Sequence, residues 1–87
     1  GSQPQSGAYN KLDAITTSAT TTFNLLLGGV AYYPQSANHL VVSLNGVIQA
    51  PQDSFTVVND TIVFVSALSS SDSIDFIMVL GEYYESI

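Results

Sequence analysis

The chain contains no cysteine, no tryptophan and no arginine, and its 87 residues include one lysine and one histidine. The absence of cysteine excludes a disulfide framework and thiolate chemistry. A single histidine without cysteine argues against a zinc-type metal site, which draws on several such ligands. Small domains usually need disulfides, a metal or oligomerisation to support a limited core, so self-association is the one of the three that the sequence leaves open.

Charge is also scarce. Charged residues make up 9% of the chain and the net charge is -6, whereas about a quarter of the residues in ordinary soluble proteins are charged. With Lys11 as the single strongly basic side chain, the sequence argues against binding to nucleic acid or to an anionic membrane surface. No apolar run is long enough to predict a transmembrane helix.

Neutral polar residues take the place of the missing charges. Serine, threonine, asparagine and glutamine together account for 29 of the 87 residues. A surface of such groups loses its water at lower cost than one of lysine and glutamate. The composition therefore favours packing against another chain or against a sugar.

The sequence shows no catalytic motif. A Gly-x-Ser-x-Gly nucleophile elbow is missing, and His39 stands beside Asn38 at the start of an apolar run. Asp72 and Asp75 are close in sequence, but we interpret them as residues that form a turn and keep the chain soluble. No spacing of acidic and amide residues resembles a calcium-binding loop. We therefore predict a protein that is not an enzyme and that has no metal site and no cofactor.

The clearest structural signal is a pair of consecutive β-hairpins. The first connects residues 40–44 to residues 47–49 through Asn45 and Gly46. This dipeptide is typical of a two-residue hairpin turn because both residues tolerate a positive φ. Pro51 is expected to end the pairing of the returning strand.

The second hairpin connects residues 55–58 to residues 61–65 through Asn59 and Asp60. If these two residues form the whole loop, the register of the two strands follows directly. The pairs predicted on one face are Phe55 with Phe64 and Val57 with Ile62, and the pair predicted on the other face is Thr56 with Val63.

Three further segments have the composition of strands or loops. We predict a first strand within residues 8–15, a second over residues 21–27 and a loop over residues 30–39. Residues 74–80 form the last predicted strand, with Ile74, Phe76, Met78 and Leu80 on one face and Asp75, Ile77 and Val79 on the other. Since both faces are largely apolar, this strand is expected to be central in its sheet or half covered by a neighbouring subunit.

The fold class that follows is all-β. Six or seven short strands at spacings of about ten residues predict either a small antiparallel β-sandwich or a partly open barrel. Gly1 and Ser2 are typical of a cloning scar, and residues 1–7 are interpreted as that scar with a flexible lead-in. Residues 8–87 are interpreted as one β-sandwich domain.

Several stretches of the sequence together carry a family resemblance. They are Asn38-His39-Leu40-Val41-Val42-Ser43-Leu44-Asn45-Gly46-Val47-Ile48-Gln49, Pro51, Phe55-Thr56-Val57, Thr61-Ile62-Val63-Phe64 and Ser71-Asp72-Ser73-Ile74, with the threonine-rich run into Phe23-Asn24-Leu25 upstream. This pattern resembles a β-module of bacteriophage virion proteins, found in tail fibres and related tail or neck proteins, especially of marine phages. Two positions depart from it, since the family often has Gly-Asp at Ser71-Asp72 and tyrosine at Phe55.

The resemblance implies a non-enzymatic β-sandwich, often part of a trimeric fibre or adhesin. It implies a place in the virion tail, extracellular after release, with other virion proteins as partners. It transfers no catalytic residue to this chain. We therefore expect a structural module that contributes to homo-oligomeric assembly, with a trimer favoured. The alternative is an adhesion module that binds a carbohydrate or a receptor on the host surface.

The tyrosines are the candidate contact residues for either role. Tyr32, Tyr33, Tyr83 and Tyr84 occur as two adjacent pairs outside the predicted hairpins. Tyrosine combines an apolar ring with a polar tip, which suits both subunit interfaces and stacking on sugars. One ring of each pair is expected in the core and the other at a subunit contact. A glycan contact and simple exposure are the alternatives, and exposed rings on a long loop would favour recognition.

Overall fold

The computed structural model describes residues 9–80, which form nine short β-strands and one 3₁₀ helix, Ala37–His39. The all-β class predicted from the sequence is confirmed. The strands are β1 (Tyr9–Lys11), β2 (Thr22–Asn24), β3 (Leu26–Leu27), β4 (Val30–Ala31), β5 (Leu40–Leu44), β6 (Val47–Gln49), β7 (Phe55–Val58), β8 (Thr61–Phe64) and β9 (Ile74–Leu80).

The strands form two main sheets and one small hairpin. The first sheet has four strands in the order β1-β9-β5-β6, and the second has three in the order β2-β8-β7. The hairpin consists of β3 and β4, and every pairing between named strands is antiparallel. As the apolar character of both its faces predicted, β9 lies inside its sheet, between β1 and β5.

One hydrophobic core joins the inner faces of the two sheets. The first sheet contributes Leu40, Val42, Ile74, Ile77 and Val79, the second contributes Phe23, Phe55, Ile62 and Phe64, and connecting segments add Leu12, Leu25, Ala37 and Leu68. Because the side chains of the two sheets meet in a single core, the architecture is that of a small antiparallel β-sandwich or a partly open barrel.

Three phenylalanines pack together on the second sheet. The ring of Phe64 lies 6.1 Å from that of Phe23 at an interplanar angle of 72°, and 6.3 Å from that of Phe55 at 55°. Edge-to-face and tilted arrangements of this kind stabilise aromatic pairs beyond the burial of their surface. Phe55 and Phe64 are paired by the register of β7 and β8, which also pairs Val57 with Ile62, as predicted, and Phe23 pairs with Ile62 from β2.

The structure differs from the sequence-based prediction in the number and extent of strands. Nine strands replace the six or seven expected, because the predicted strand over residues 21–27 divides into β2 and β3. The predicted loop over residues 30–39 begins with β4 and ends with the 3₁₀ helix. The first strand is shorter than predicted and ends at Lys11, after which the side chain of Leu12 enters the core.

The faces of β9 also differ from the prediction. Ser43 of β5 pairs with Phe76, but its neighbour Leu44 pairs with Ile74, so that Asp75 is an extra residue in a β-bulge. A bulge reverses the alternation of side chains beyond it. The buried side chains of β9 are Ile74, Ile77 and Val79, and the half-buried ones are Phe76, Met78 and Leu80. The prediction that Ile74 shares a face with the latter three is therefore wrong.

Candidate functional site

The outer face of the four-stranded sheet is apolar. We call its five apolar side chains the apolar outer face: Val41, Ile48, Phe76, Met78 and Leu80. The sheet register places Val41 opposite Met78, and places Ser43 opposite both Phe76 and Ile48. Four of the five are half-buried and Ile48 is 59% exposed. None of them belongs to the core or packs against it, so they lie on the side of the sheet that faces away from the core.

The outer face of the second sheet has a different composition. Its central row runs from Thr22 through Val63 to Thr56, and Thr61 of β8 pairs with Val58 at the end of β7. Threonine suits a strand position that is exposed to water. An antiparallel sheet commonly has one face in the core and one polar face in solvent. The outer face of the second sheet is therefore mixed, with threonines beside Val63 and the 54% exposed Val58, whereas that of the first sheet is mainly apolar.

Polar and charged groups border and interrupt the apolar outer face. Lys11 of β1 pairs with Met78 at the β1 side of the sheet and is exposed. The buried hydroxyl of Ser43, which stands between Phe76 and Ile48 in the register, donates a hydrogen bond to Asp75 Oδ2 at 2.7 Å. A polar residue therefore separates Ile48 from Phe76, and a carboxylate lies beside Phe76.

A group of polar contacts fixes the turn between β5 and β6. We call it the polar loop cluster, and it consists of Ser43, Asn45, Gly46, Asp72, Ser73 and Asp75. Asn45 and Gly46 form the two-residue turn, with φ values of 52° and 80°. The side chain of Asn45 donates to Asp72 Oδ1 at 3.0 Å and accepts from the backbone N–H of Ser73 at 2.8 Å. The backbone N–H of Gly46 donates to Asp75 Oδ2 at 2.6 Å.

These hydrogen bonds act on the carboxyl groups. The side chain of Asn45, and then the backbone N–H of Ser69, lower the pKa of Asp72 below its ordinary value of 3.8. The hydroxyl of Ser43, and then the backbone N–H of Gly46, lower the pKa of Asp75 in the same way. Both residues are therefore carboxylates at neutral pH, where they bind the turn.

The second predicted turn connects β7 to β8. Asn59 has a φ of 55°, and the hydroxyl of Thr61 donates to the carbonyl oxygen of Val58 at 2.7 Å. The backbone carbonyl of Asp60 accepts a hydrogen bond from the N–H of Leu25 at 2.8 Å. The turn is thus connected to the segment between β2 and β3.

The two tyrosines of the 30–39 segment have different surroundings. Tyr32 is half-buried and packs against the core, whereas Tyr33 is 62% exposed. One ring is therefore directed to the core and its neighbour to the surface, which was expected of an adjacent pair. Tyr83 and Tyr84, the other predicted contact residues, lie outside the described residues.

Within residues 9–80, the other candidate residues do not form a catalytic or metal-binding site. His39 has a buried Nδ1 without a hydrogen-bond partner. No group of three or more His, Cys, Asp and Glu side chains comes together there in a way that could hold a metal ion. A cleft of about 210 Å³ lies beside β6. Its lining contains no titratable side chain and consists of Leu44, Gln49, Ser54, Phe64, Val65, Ser66 and Leu68.

Comparison with known proteins gives no match, whether to a family model, to a curated protein or to a solved structure. Among the residues that the structure describes, none of the helical segments is long and apolar enough to cross a membrane.

Sequence reasoning missed the two main features of the site. The apolar residues on both faces of the last strand indicate that its outer face is apolar. The bulge at Asp75, which decides which residues lie on that face, could not be inferred from the pattern. The polar loop cluster joins residues 27 to 32 positions apart in the chain. Nothing in the local sequence around Asn45 indicates which carboxyl groups it meets.

Proposed function

We propose that this protein is a non-enzymatic structural module that assembles with copies of itself through the apolar outer face. The observation that supports the proposal is the composition of the two outer faces, because the first has five apolar side chains, four of them half-buried, whereas the second mixes threonines with Val58 and Val63. The largest apolar patch on a typical monomeric protein covers about 300–600 Å² and is often functional. The family resemblance of residues 38–75 extends the proposal to a bacteriophage virion, as part of a tail fibre or another tail component.

A second copy of the chain is the partner that this surface fits best. The chain has a net charge of -6, so two copies repel each other over most of their surfaces. The five side chains of the apolar outer face carry no charge, and the Asp75 carboxylate beside Phe76 is bound by Ser43 and Gly46. Contact through this face therefore keeps the like charges of the two copies apart.

The size of the face sets the expected strength of association. Four strands about 4.8 Å apart, over five residues with a rise of about 3.4 Å each, give an area of roughly 300 Å². A standard stable interface buries about 800 Å² on each partner. We therefore expect weak self-association through this face alone, visible at high protein concentration. A closed trimer, favoured by the resemblance, would strengthen it because each copy then meets two neighbours.

Molar mass in solution tests the proposal. Light scattering over a wide range of protein concentration should show a mass that rises above that of one chain. Phe76→Glu places a charge on the apolar outer face and should keep the protein monomeric. Thr56→Glu places the same charge on the outer face of the second sheet and is the matched control.

Each outcome has a definite meaning. A rising mass for the original protein and for Thr56→Glu, but not for Phe76→Glu, supports assembly through the apolar outer face. A mass that rises equally in all three proteins contradicts the choice of face. A single-chain mass at every concentration contradicts self-assembly itself.

Tyr33 supports a second candidate function, which is recognition of a carbohydrate or receptor on a host surface. Its ring is 62% exposed in the segment between β4 and the 3₁₀ helix, and Val30 of the adjoining hairpin is 68% exposed. An exposed tyrosine ring can stack on a sugar. Binding to a glycan panel or to host cells that is lost in Tyr33→Ser would favour this function. A protein that binds neither would exclude it.

A further inference from the structure

We propose that Asn45 is a site of covalent self-modification, which the polar loop cluster suppresses in the folded protein. The reaction is deamidation through a succinimide. The proposal is independent of the partner that the module binds, and it rests on the Asn45-Gly46 sequence together with the hydrogen bonds at this turn.

The reaction needs only the turn and water. The backbone nitrogen of Gly46 attacks the side-chain carbonyl carbon Cγ of Asn45 and loses its proton. The bond from Cγ to Nδ2 breaks, and ammonia leaves with that proton. Water then opens the resulting ring at either carbonyl group and yields aspartate or isoaspartate. Glycine is the residue that favours this attack most, because it has no side chain to obstruct the ring.

The folded structure restrains both reacting groups. The Asn45 side chain is bound at each end, through Nδ2 to Asp72 Oδ1 at 3.0 Å and through Oδ1 to the N–H of Ser73 at 2.8 Å. To bring Cγ to the attacking nitrogen, the side chain must turn and break these two contacts. The turn is therefore expected to react from conformations in which the cluster has opened.

The attacking nitrogen is restrained as well. The N–H of Gly46 donates to Asp75 Oδ2 at 2.6 Å. Attack requires this nitrogen to give up its proton and become transiently negative. A carboxylate at hydrogen-bond distance disfavours a second negative charge beside it. Asp75 therefore protects Asn45 by binding the attacking nitrogen of Gly46, and Asp72 protects it by holding the side-chain amide that is attacked.

The product would not fit the cluster. Deamidation replaces the Nδ2 donor of Asn45 by a carboxylate oxygen, which would then face Asp72 Oδ1 across the 3.0 Å that now hold a hydrogen bond. Two carboxylates at that distance repel each other. The isoaspartate product also lengthens the backbone of a two-residue turn. Either product would weaken the contact between the β5–β6 turn and the segment before β9. The change is irreversible.

Mass spectrometry of peptides over time measures the reaction. We expect Asn45 of the folded protein to deamidate at least about tenfold more slowly than Asn45 of the same chain in concentrated urea, since protection follows the cost of local opening. Asn59, which is followed by Asp60 instead of glycine, serves as the internal reference. Equal rates in the folded and the unfolded chain would overturn the proposal.

Variants separate the role of the carboxylates from general stability. Asp75→Asn and Asp72→Asn should each speed up deamidation of the folded protein by several-fold. Ile77→Val, a change in the core that lowers stability without touching the cluster, is the control. The rates are compared for equal losses in melting temperature. If Ile77→Val speeds up deamidation as much as Asp75→Asn and Asp72→Asn do, the carboxylates do not protect Asn45 and the proposal is wrong.

The Asn45→Asp variant tests the consequence of the reaction. It should melt at a lower temperature than the original protein near neutral pH, and the difference should shrink in strong acid, where the carboxyl groups are protonated and no longer repel each other. A variant with an unchanged melting temperature near neutral pH would show that the product fits the cluster, and would contradict that part of the proposal.

Discussion

Neighbouring substitutions in β9 test which of its side chains face the core. Ile77 is 2% exposed and packs in the core, whereas Met78 is half-buried on the apolar outer face. Replacing Ile77 by alanine removes three carbon atoms, worth about 2.4 kcal/mol of transfer free energy at about 0.8 kcal/mol each, and leaves a cavity as well. We expect a loss of about 2–5 kcal/mol in the free energy of unfolding.

Met78→Ala should cost much less. Its side chain is already partly in water and touches no residue of the core, so we expect a loss of about 1 kcal/mol or less for the isolated chain. Urea unfolding followed by far-UV circular dichroism measures both values, and tyrosine fluorescence is a second probe because the chain has no tryptophan. The comparison needs low protein concentration, where self-association adds nothing to stability.

The size of the domain calls for a milder variant too. At about 0.05–0.15 kcal/mol per residue, a domain of this length has roughly 4–12 kcal/mol of stability, so Ile77→Ala could unfold it. Ile77→Val should cost about 0.5–1.5 kcal/mol and keep the fold. If Met78→Ala destabilises the protein as much as Ile77→Ala, or more than Ile77→Val by a clear margin, the assignment of the two faces is wrong.

Two further predictions concern the polar loop cluster. Since hydrogen bonds from Ser43 and Gly46 lower the pKa of Asp75, the carboxylate stabilises the folded protein above its ordinary pKa of 3.8, and this contribution is lost as the pH falls through the lower folded value. Asp75→Asn should therefore lower the melting temperature near neutral pH and leave it nearly unchanged in strong acid; an equal loss at both pH values would contradict this. Gly46→Ala should cost about 1–2 kcal/mol in thermal unfolding, because Gly46 has a φ of 80° that side chains disfavour. An unchanged melting temperature would show that the turn tolerates another conformation.

Much of the fold follows from local sequence. A two-residue Asn59-Asp60 loop determines the register of β7 and β8, since the side-chain pairs then follow by counting outward from the turn. The β5–β6 turn likewise follows from the conformational freedom of Asn45 and Gly46. These elements are predictable because each depends on residues that are adjacent in the chain.

The remaining features depend on contacts between distant segments. The bulge at Asp75 is compatible with the hydrogen bonds that this side chain makes to Ser43 and Gly46, about 30 positions earlier. Its effect on the faces of β9 could not be inferred from alternation alone. The hairpin of β3 and β4 escaped prediction because its strands have two residues each, too few to show a period.

Assembly through the apolar outer face is the central claim, and a dilution series of ¹H–¹⁵N NMR spectra tests it most directly. The account predicts that dilution shifts the backbone signals of Val41, Ile48, Phe76 and Met78, and leaves those of Thr22, Thr56 and Thr61 unchanged. Shifts that cluster on the second sheet or around Tyr33, or a spectrum that does not change with concentration, would contradict it.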